Sequence, residues 1–246
     1  MMYFIYNIFL LLILLISPII ITIRIFLGKE DKIRFKEKFC FFAKKSHVDE
    51  TIWFHGASVG EITSIIPIIK NFENNNKIKR ILITSSTTSS SYILSKYKFK
   101  KTVHQFYPFD LNIFTKLFIN YWKPKLAIFV DSEIWPNMYN NLDKRKIPLI
   151  LLNARITERS FNRWKYFPAF SKNIFEKIKV ALPQNTETKK YLKLLGAKNI
   201  KIAGNIKFFG TNLSNYNNIK LKKKFSQKTI WCAASTHKNE ELFIGK

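Results

Sequence analysis

Cysteine is nearly absent: Cys40 and Cys232, far apart in the chain, are the only two in 246 residues. That excludes a disulfide framework and a cysteine-based zinc site, and it suits a reduced compartment. The four histidines, His47, His55, His104 and His237, form no pair at metal-ligand spacing. No metal or cofactor site is therefore read from the sequence. Glycine is scarce too, at seven residues, and these form neither a Walker phosphate loop nor a dinucleotide fingerprint. Acidic side chains are the third shortage: 16 Asp and Glu against 42 Lys and Arg give a formal net charge of +26. Such a surplus favours anionic partners. Lys, Asn and Ile are abundant throughout, however, and the basic residues do not gather into one arm, so composition accounts for much of the charge. With no recognised motif and no clustered aromatic platform, nucleic acid is not expected as a partner.

Charge is missing altogether from residues 1–23. Leu, Ile and Phe dominate this run, and its length suffices for a transmembrane helix. Arg24, Lys29, Lys32, Arg34, Lys36 and Lys38 follow, which by the positive-inside rule puts the rest of the chain in the cytoplasm. A signal peptide needs a basic start and a small-residue cleavage site, and neither is present, so the run reads as an uncleaved anchor. Residues 24–50 form a basic connector with interleaved Phe. It suits either an interfacial segment on anionic lipid or a solvated loop whose Phe side chains pack on the following domain.

From residue 51 the chain alternates strand and helix patterns. Strands are predicted at 51–54, 80–84, 103–106, 126–130, 149–152, 180–183 and 200–203. Helices are predicted at 61–71, 88–96, 112–121, 134–144, 162–178 and 187–195. That rhythm marks a parallel, doubly wound α/β sheet, here an acceptor domain over 51–210. Residues 211–228 read as a polar linker, and 229–246 as the start of a second domain. Ile62, Ile65, Ile66 and Ile69 recur at helical spacing, with Pro67 expected to bend that helix or loosen its first turns.

Polar clusters follow each strand and should line one edge of the sheet. After the first come Gly56, Ser58, Gly60 and Glu61. Ser58 and Glu61 fit a capping box; the helix dipole would keep Glu61 ionised and lower its basicity. The serine and threonine run 85–88 reads as cap chemistry. Capping does not explain Asp131 with Glu133, Arg155 with Arg159, or Lys207 beside Gly204 and Asn205. Those charges need partners or a substrate.

The segments His55 to Glu61, Asp131 to Asn137, Asn153 to Ser160, Gly204 to Phe208 and Ala233 to His237, in that order, resemble the Kdo transferases of lipopolysaccharide synthesis, where Kdo is 3-deoxy-D-manno-octulosonic acid. The resemblance implies the N-terminal Rossmann-like domain of a GT-B glycosyltransferase, preceded by a transmembrane helix in the inner membrane, with the domain on the cytoplasmic face. It implies inverting, metal-independent transfer of Kdo from CMP-Kdo to a lipid A precursor (lipid IVA). Glu61 maps to the general base. Lys207 and an acidic residue, Asp131 or Glu133, map to transition-state stabilisation; Ser58, Gly60, Arg155, Arg159 and Asn205 are the candidate substrate-binding residues. The family's nucleotide-sugar domain is mostly absent, so little activity is expected of this chain alone. The alternative reading is a membrane-anchored module that binds anionic lipid, or an inactive fragment.

Overall fold

The computed structural model describes residues 2–42 and 50–208, together with Ala234, Thr236 and Glu240. The linker and second-domain readings lie outside the described residues apart from those three positions. Chain segments Met1–Gly210 and Thr211–Lys246 are separate compact units, and the elements below all belong to the first.

Six parallel strands form one sheet in the order β3-β2-β1-β4-β5-β6. They are β1 (Thr51–His55), β2 (Arg80–Ser85), β3 (Thr102–Phe106), β4 (Pro124–Val130), β5 (Leu149–Ala154) and β6 (Val180–Pro183). This is the doubly wound order, in which the chain reverses its direction of travel between β1 and β4. The helices are α1 (Met2–Phe26), α2 (Val59–Glu73), α3 (Thr88–Ser95), α4 (Asn112–Trp122), α5 (Pro136–Lys144), α6 (Glu158–Lys165), α7 (Pro168–Phe175) and α8 (Thr186–Leu195). Two 3-10 turns, Arg34–Phe39 and Ile206–Phe208, complete the described elements.

Alternation along the strands divides the core into two layers. Trp53, Leu82, Phe129 and Leu151 face the layer that includes Phe118, Tyr139, Phe175 and Leu192. Phe54, Ile81, Ile83 and Ile128 face the layer with Ile62, Ile65 and Ile69. Those three isoleucines of α2 are fully buried, and burying each contributes roughly 1.5–3 kcal/mol. This face explains why α2 runs through Pro67 as one helix: packing outweighs the hydrogen bond that proline removes.

Two sequence expectations fail. The helix predicted at 162–178 is two helices: Phe167 sits between them with non-helical backbone, and Pro168 opens α7, because a residue before proline is pushed out of the helical region. The strand predicted at 200–203 is a single bridge, Ala181 to Ile200, after which Gly204 turns the chain with φ 77°.

The connector packs on the domain. Arg34 grips Glu37 through Nε (2.7 Å) and Nη2 (3.0 Å) and donates to the His104 carbonyl (3.0 Å). Glu37 in turn accepts from the Phe106 N–H (2.9 Å). Burial, with Arg34 alongside, pushes His104 down to about 3, so the ring stays neutral. It receives Arg34 at Nδ1 and meets the Ser85 hydroxyl at Nε2 (2.9 Å). Phe39 and Phe42 pack edge-on against Phe114 and Phe118. Phe39 and Phe42 thus pack on the domain, as the second reading of this stretch expects, while Phe41 is exposed; residues 43–49 lie outside the described residues.

By length and composition α1 can cross a membrane. Both its ends are tied to the domain. At the start, Tyr6 donates to Asp110 (2.8 Å) and Asn137 Nδ2 donates to Asn7 (2.9 Å). At the end, Arg24 and Lys38 share Glu30, and the Lys38 carbonyl accepts from the Phe109 N–H. Between these anchor points the helix is largely uncovered, with Phe4, Ile8, Leu11, Leu12, Leu15 and Ile19 exposed.

Candidate active site

The edge at the carboxyl ends of β1 and β4 is where a doubly wound sheet opens a crevice. Glu61 lies in the first turn of α2, just after β1. Its backbone N–H donates to the Ser58 hydroxyl (3.3 Å), and that hydroxyl donates to Oε1 (2.8 Å). Oε2 accepts from the Ala57 N–H (2.7 Å). The predicted capping box thus holds in altered form: the carboxylate reaches Ala57 rather than the backbone of Ser58. Gly56 makes this turn possible. A Cβ there would lie 3.1 Å from the Cβ of Glu61, whereas above Gly60 there is open space.

Glu61 titrates above the ordinary carboxylate range. Partial burial contributes most, and the negative charges of Glu133 and then Asp131 add to it, against the bonds from Ser58 and Ala57. The expectation that the helix dipole lowers its basicity is therefore reversed: desolvation and like charge outweigh the dipole.

Glu133, just past β4, is mostly buried. Its Oε2 accepts from the Trp135 indole (2.9 Å) and meets His55 Nε2 (3.0 Å). Burial raises its pKa, but the His55 and Trp135 bonds outweigh burial, and it titrates below the usual range. An ionised Glu133 makes Nε2 of His55 the donor. Nδ1 of the fully buried ring then faces the Thr84 hydroxyl (2.9 Å), which also accepts from the Trp53 indole (2.8 Å). Tyr107 stacks on the imidazole at 3.9 Å. A buried line of polar contacts thus runs from Trp53 to Trp135 beneath the edge.

Asp131 follows β4 in left-handed backbone (φ 62°), and Asn153, one residue before the end of β5, does likewise (φ 53°). Asp131 Oδ2 accepts from Lys207 Nζ (2.9 Å). Asn153 Oδ1 accepts from the Ile206 N–H (3.0 Å), and Asn205 Oδ1 from the Lys207 N–H (3.0 Å). Asn205 therefore shapes the turn that carries Lys207. Ile206 shares its apolar cluster with Ile62 and Ile65, so that turn packs on the helix bearing Glu61. Within the run 85–88, Thr87 caps α3, its hydroxyl accepting from the Ser90 N–H, whereas Ser85 ends β2 and meets His104 instead. Arg155 and Arg159 are exposed and make no side-chain hydrogen bond or ion pair among the described residues. No group of three or more potential ligands gathers at metal-binding geometry among the described residues.

The structure therefore gathers Glu61, Glu133, Asp131 and Lys207 at one edge. Sequence reading missed His55 and Trp135 as partners of Glu133, and Thr84 as the partner of His55; the His55–Glu133 pairing joins residues 78 positions apart.

The family profile described as 3-Deoxy-D-manno-octulosonic-acid transferase (kdotransferase) matches residues 33–209. The chain belongs to this Kdo transferase family. A Kdo transferase of Rickettsia bellii is 37% identical over 235 residues, covering 95% of this chain and 56% of that protein. One from Haemophilus influenzae is 31% identical, covering 87% and 51%. A probable mitochondrial Kdo transferase of Arabidopsis thaliana is 30% identical, covering 98% and 57%. The chain spans about half the length of these relatives. Among solved structures, the S. aureus MnaA–UDP complex superposes with a TM-score of 0.50 at 13% identity, covering 74% of this chain and 52% of that one. That likeness concerns the fold alone.

Proposed function

We propose that this chain forms the acceptor-binding half of a Kdo transferase with two Rossmann-like domains, the GT-B arrangement. The enzyme would move Kdo from CMP-Kdo to a phosphorylated lipid A precursor with inversion and without a metal. The observation that carries this is the edge itself: a solvent-reaching carboxylate of raised basicity beside two further acids and a lysine. A sugar hydroxyl is a poor nucleophile, so a carboxylate must take its proton as the glycosidic bond forms. Glu61 is that base. Burial beside Glu133 favours proton acceptance, and the Ser58 and Ala57 contacts fix the carboxylate's direction. CMP leaves readily, so no acid is required. Lys207, held by Asp131 (2.9 Å), offsets charge developing on the donor phosphate or the Kdo carboxylate. Glu133, fixed by His55 and Trp135, sets the field at Glu61. Gly60 leaves room over the first turn of α2, and Arg155 and Arg159 meet the acceptor's phosphates. α1 seats the domain in the inner membrane, and the basic residues after it favour the cytoplasmic face.

The test is Glu61→Gln in the full chain, complemented with the C-terminal half of a matched relative. Kdo transfer from CMP-Kdo should fall by about 10²–10⁴ while vesicle binding is kept. Unchanged turnover would overturn the assignment of the base.

A further inference from the structure

Strand β5 is irregular next to the site. Leu152 pairs with Leu182 of β6 and Ala154 with Pro183, so Asn153 is left out of that ladder as a bulge. A bulge re-aims a side chain, and bulges gather beside active sites. The backbone of Asn153 is left-handed (φ 53°) and its side chain is fully buried. Its amide oxygen accepts from the Ile206 N–H (3.0 Å), whereas its Nδ2 makes no hydrogen bond among the described residues. Both features cost free energy: a left-handed residue other than glycine is strained, and a buried donor without an acceptor keeps its desolvation penalty. Costs of this kind cluster where a site needs the geometry they fix.

The oxygen reaches the turn that carries Lys207. Upstream, the Ala203 N–H ties the chain to the Pro183 carbonyl (3.2 Å) at the end of β6. Gly204 then turns it, and Asn153 holds it again at Ile206. The Ile206 side chain is buried in the cluster that includes Ile62 and Ile65 of α2. Lys207, one residue on, keeps 40% of its side chain exposed and donates from Nζ to Asp131 Oδ2 (2.9 Å). Asp131 and Asn153 are neighbours across β4 and β5: Val130 pairs with Leu152, and the Asp131 N–H donates to the Leu152 carbonyl (2.9 Å). One corner of the sheet thus holds Lys207 at two points, through the main chain by Asn153 and through the ammonium by Asp131. Ile206 ties the same turn to the helix that bears Glu61.

We propose that Asn153 is a positioning residue for Lys207: its bulge-directed amide oxygen fixes the 204–208 turn, and so the place of the ammonium over Asp131 and its spacing from Glu61. This rests on the proposed roles of Lys207 and Glu61 and adds the group that sets one against the other. Without that oxygen the buried Ile206 N–H loses its acceptor, and the turn must shift to find another.

The test reads the amine first and the reaction second. Trace acetic anhydride with peptide mass spectrometry gives the acetylation rate of each lysine in the full chain. Asn153→Gly suits the left-handed backbone and removes the oxygen. Lys207 acetylation should then rise about fivefold, as expected for one lost hydrogen bond. Lys38, which Glu30 holds at 2.7 Å in the connector, should not change. In the chain complemented with the C-terminal half of a matched relative, kcat for Kdo transfer from CMP-Kdo should fall about tenfold, with the acceptor KM and the urea midpoint nearly unchanged. Asn153→Asp keeps an oxygen acceptor and should recover most of that kcat. Unchanged acetylation of Lys207 in Asn153→Gly, or an equal rise at Lys38, would overturn the proposal: the first means no hold on the lysine, the second a fold loosened throughout. A kcat in Asn153→Asp as low as in Asn153→Gly would overturn the role of the oxygen. Faster acetylation with kcat unchanged, in an enzyme that Glu61→Gln still disables, would leave the hold standing and remove Lys207 from the proposed reaction.

Discussion

The switch point between β1 and β4 and the outer flank of α6 both carry charge, but they handle it in opposite ways. At the switch point each acid is engaged within the protein: Glu61 by Ala57 and Ser58, Glu133 by His55 and Trp135, Asp131 by Lys207. On α6, Arg159 and Arg163 stand in solvent with no such engagement. Charges fixed from behind keep their geometry through a reaction. Charges left open gain from a ligand, since they carry little desolvation cost into binding. On the proposed function, the first region serves chemistry and the second capture.

The largest effect that would sharpen this contrast is on turnover. Glu61→Gln should lower Kdo transfer by about 10²–10⁴. With Glu61 as the proposed base, the unaltered protein's transfer rate should rise with pH as this carboxylate ionises, at a pH shifted upward from that of an ordinary glutamate because its pKa is raised. Next comes stability at the switch point. His55→Phe leaves the mostly buried Glu133 without its imidazole and should cost about 3–5 kcal/mol, read by urea denaturation. A loss under 1 kcal/mol would mean that Glu133 is not held as described.

The third effect concerns Asp110, whose carboxyl burial pushes up to about 7 against bonds from Tyr6, Asn137 and Met138. The folded protein then keeps this proton where the unfolded chain has released it. The resulting stability is full below about pH 4 and is lost as the pH rises to about 7, a matter of a few kcal/mol. Asp110→Asn should flatten that slope in denaturation curves taken at several pH values. The smallest effect belongs to the flank. Arg159→Gln should raise the acceptor KM about tenfold with kcat and stability nearly unchanged, since an exposed, unpaired side chain contributes within about 0.5 kcal/mol to folding. A fall in kcat instead would break the division between capture and chemistry.

Much of this was legible in the sequence because it is local. Strands β1 to β6 follow short apolar runs, and Ile62, Ile65 and Ile69 mark the buried face of α2. The clustering of acids at one edge follows from parallel topology, which places every strand's carboxyl end together. What stayed hidden is contact at long range. His55 belongs with Glu133 because β1 neighbours β4, which no spacing reveals. Asp110 holds Tyr6 although Tyr6 lies in a run whose hydropathy masks its phenol. Pro168 did carry a readable signal for the break between α6 and α7, and the apolar period across it concealed that signal.

Gly56 has a consequence for how finely the proposed base is placed. A single methyl added there presses on the stem of Glu61 and changes neither the carboxylate nor any charge around it. Gly56→Ala is therefore a displacement of a few tenths of an ångström that falls first on the stem of the proposed base, a ruler against which the tolerance of proton transfer can be measured.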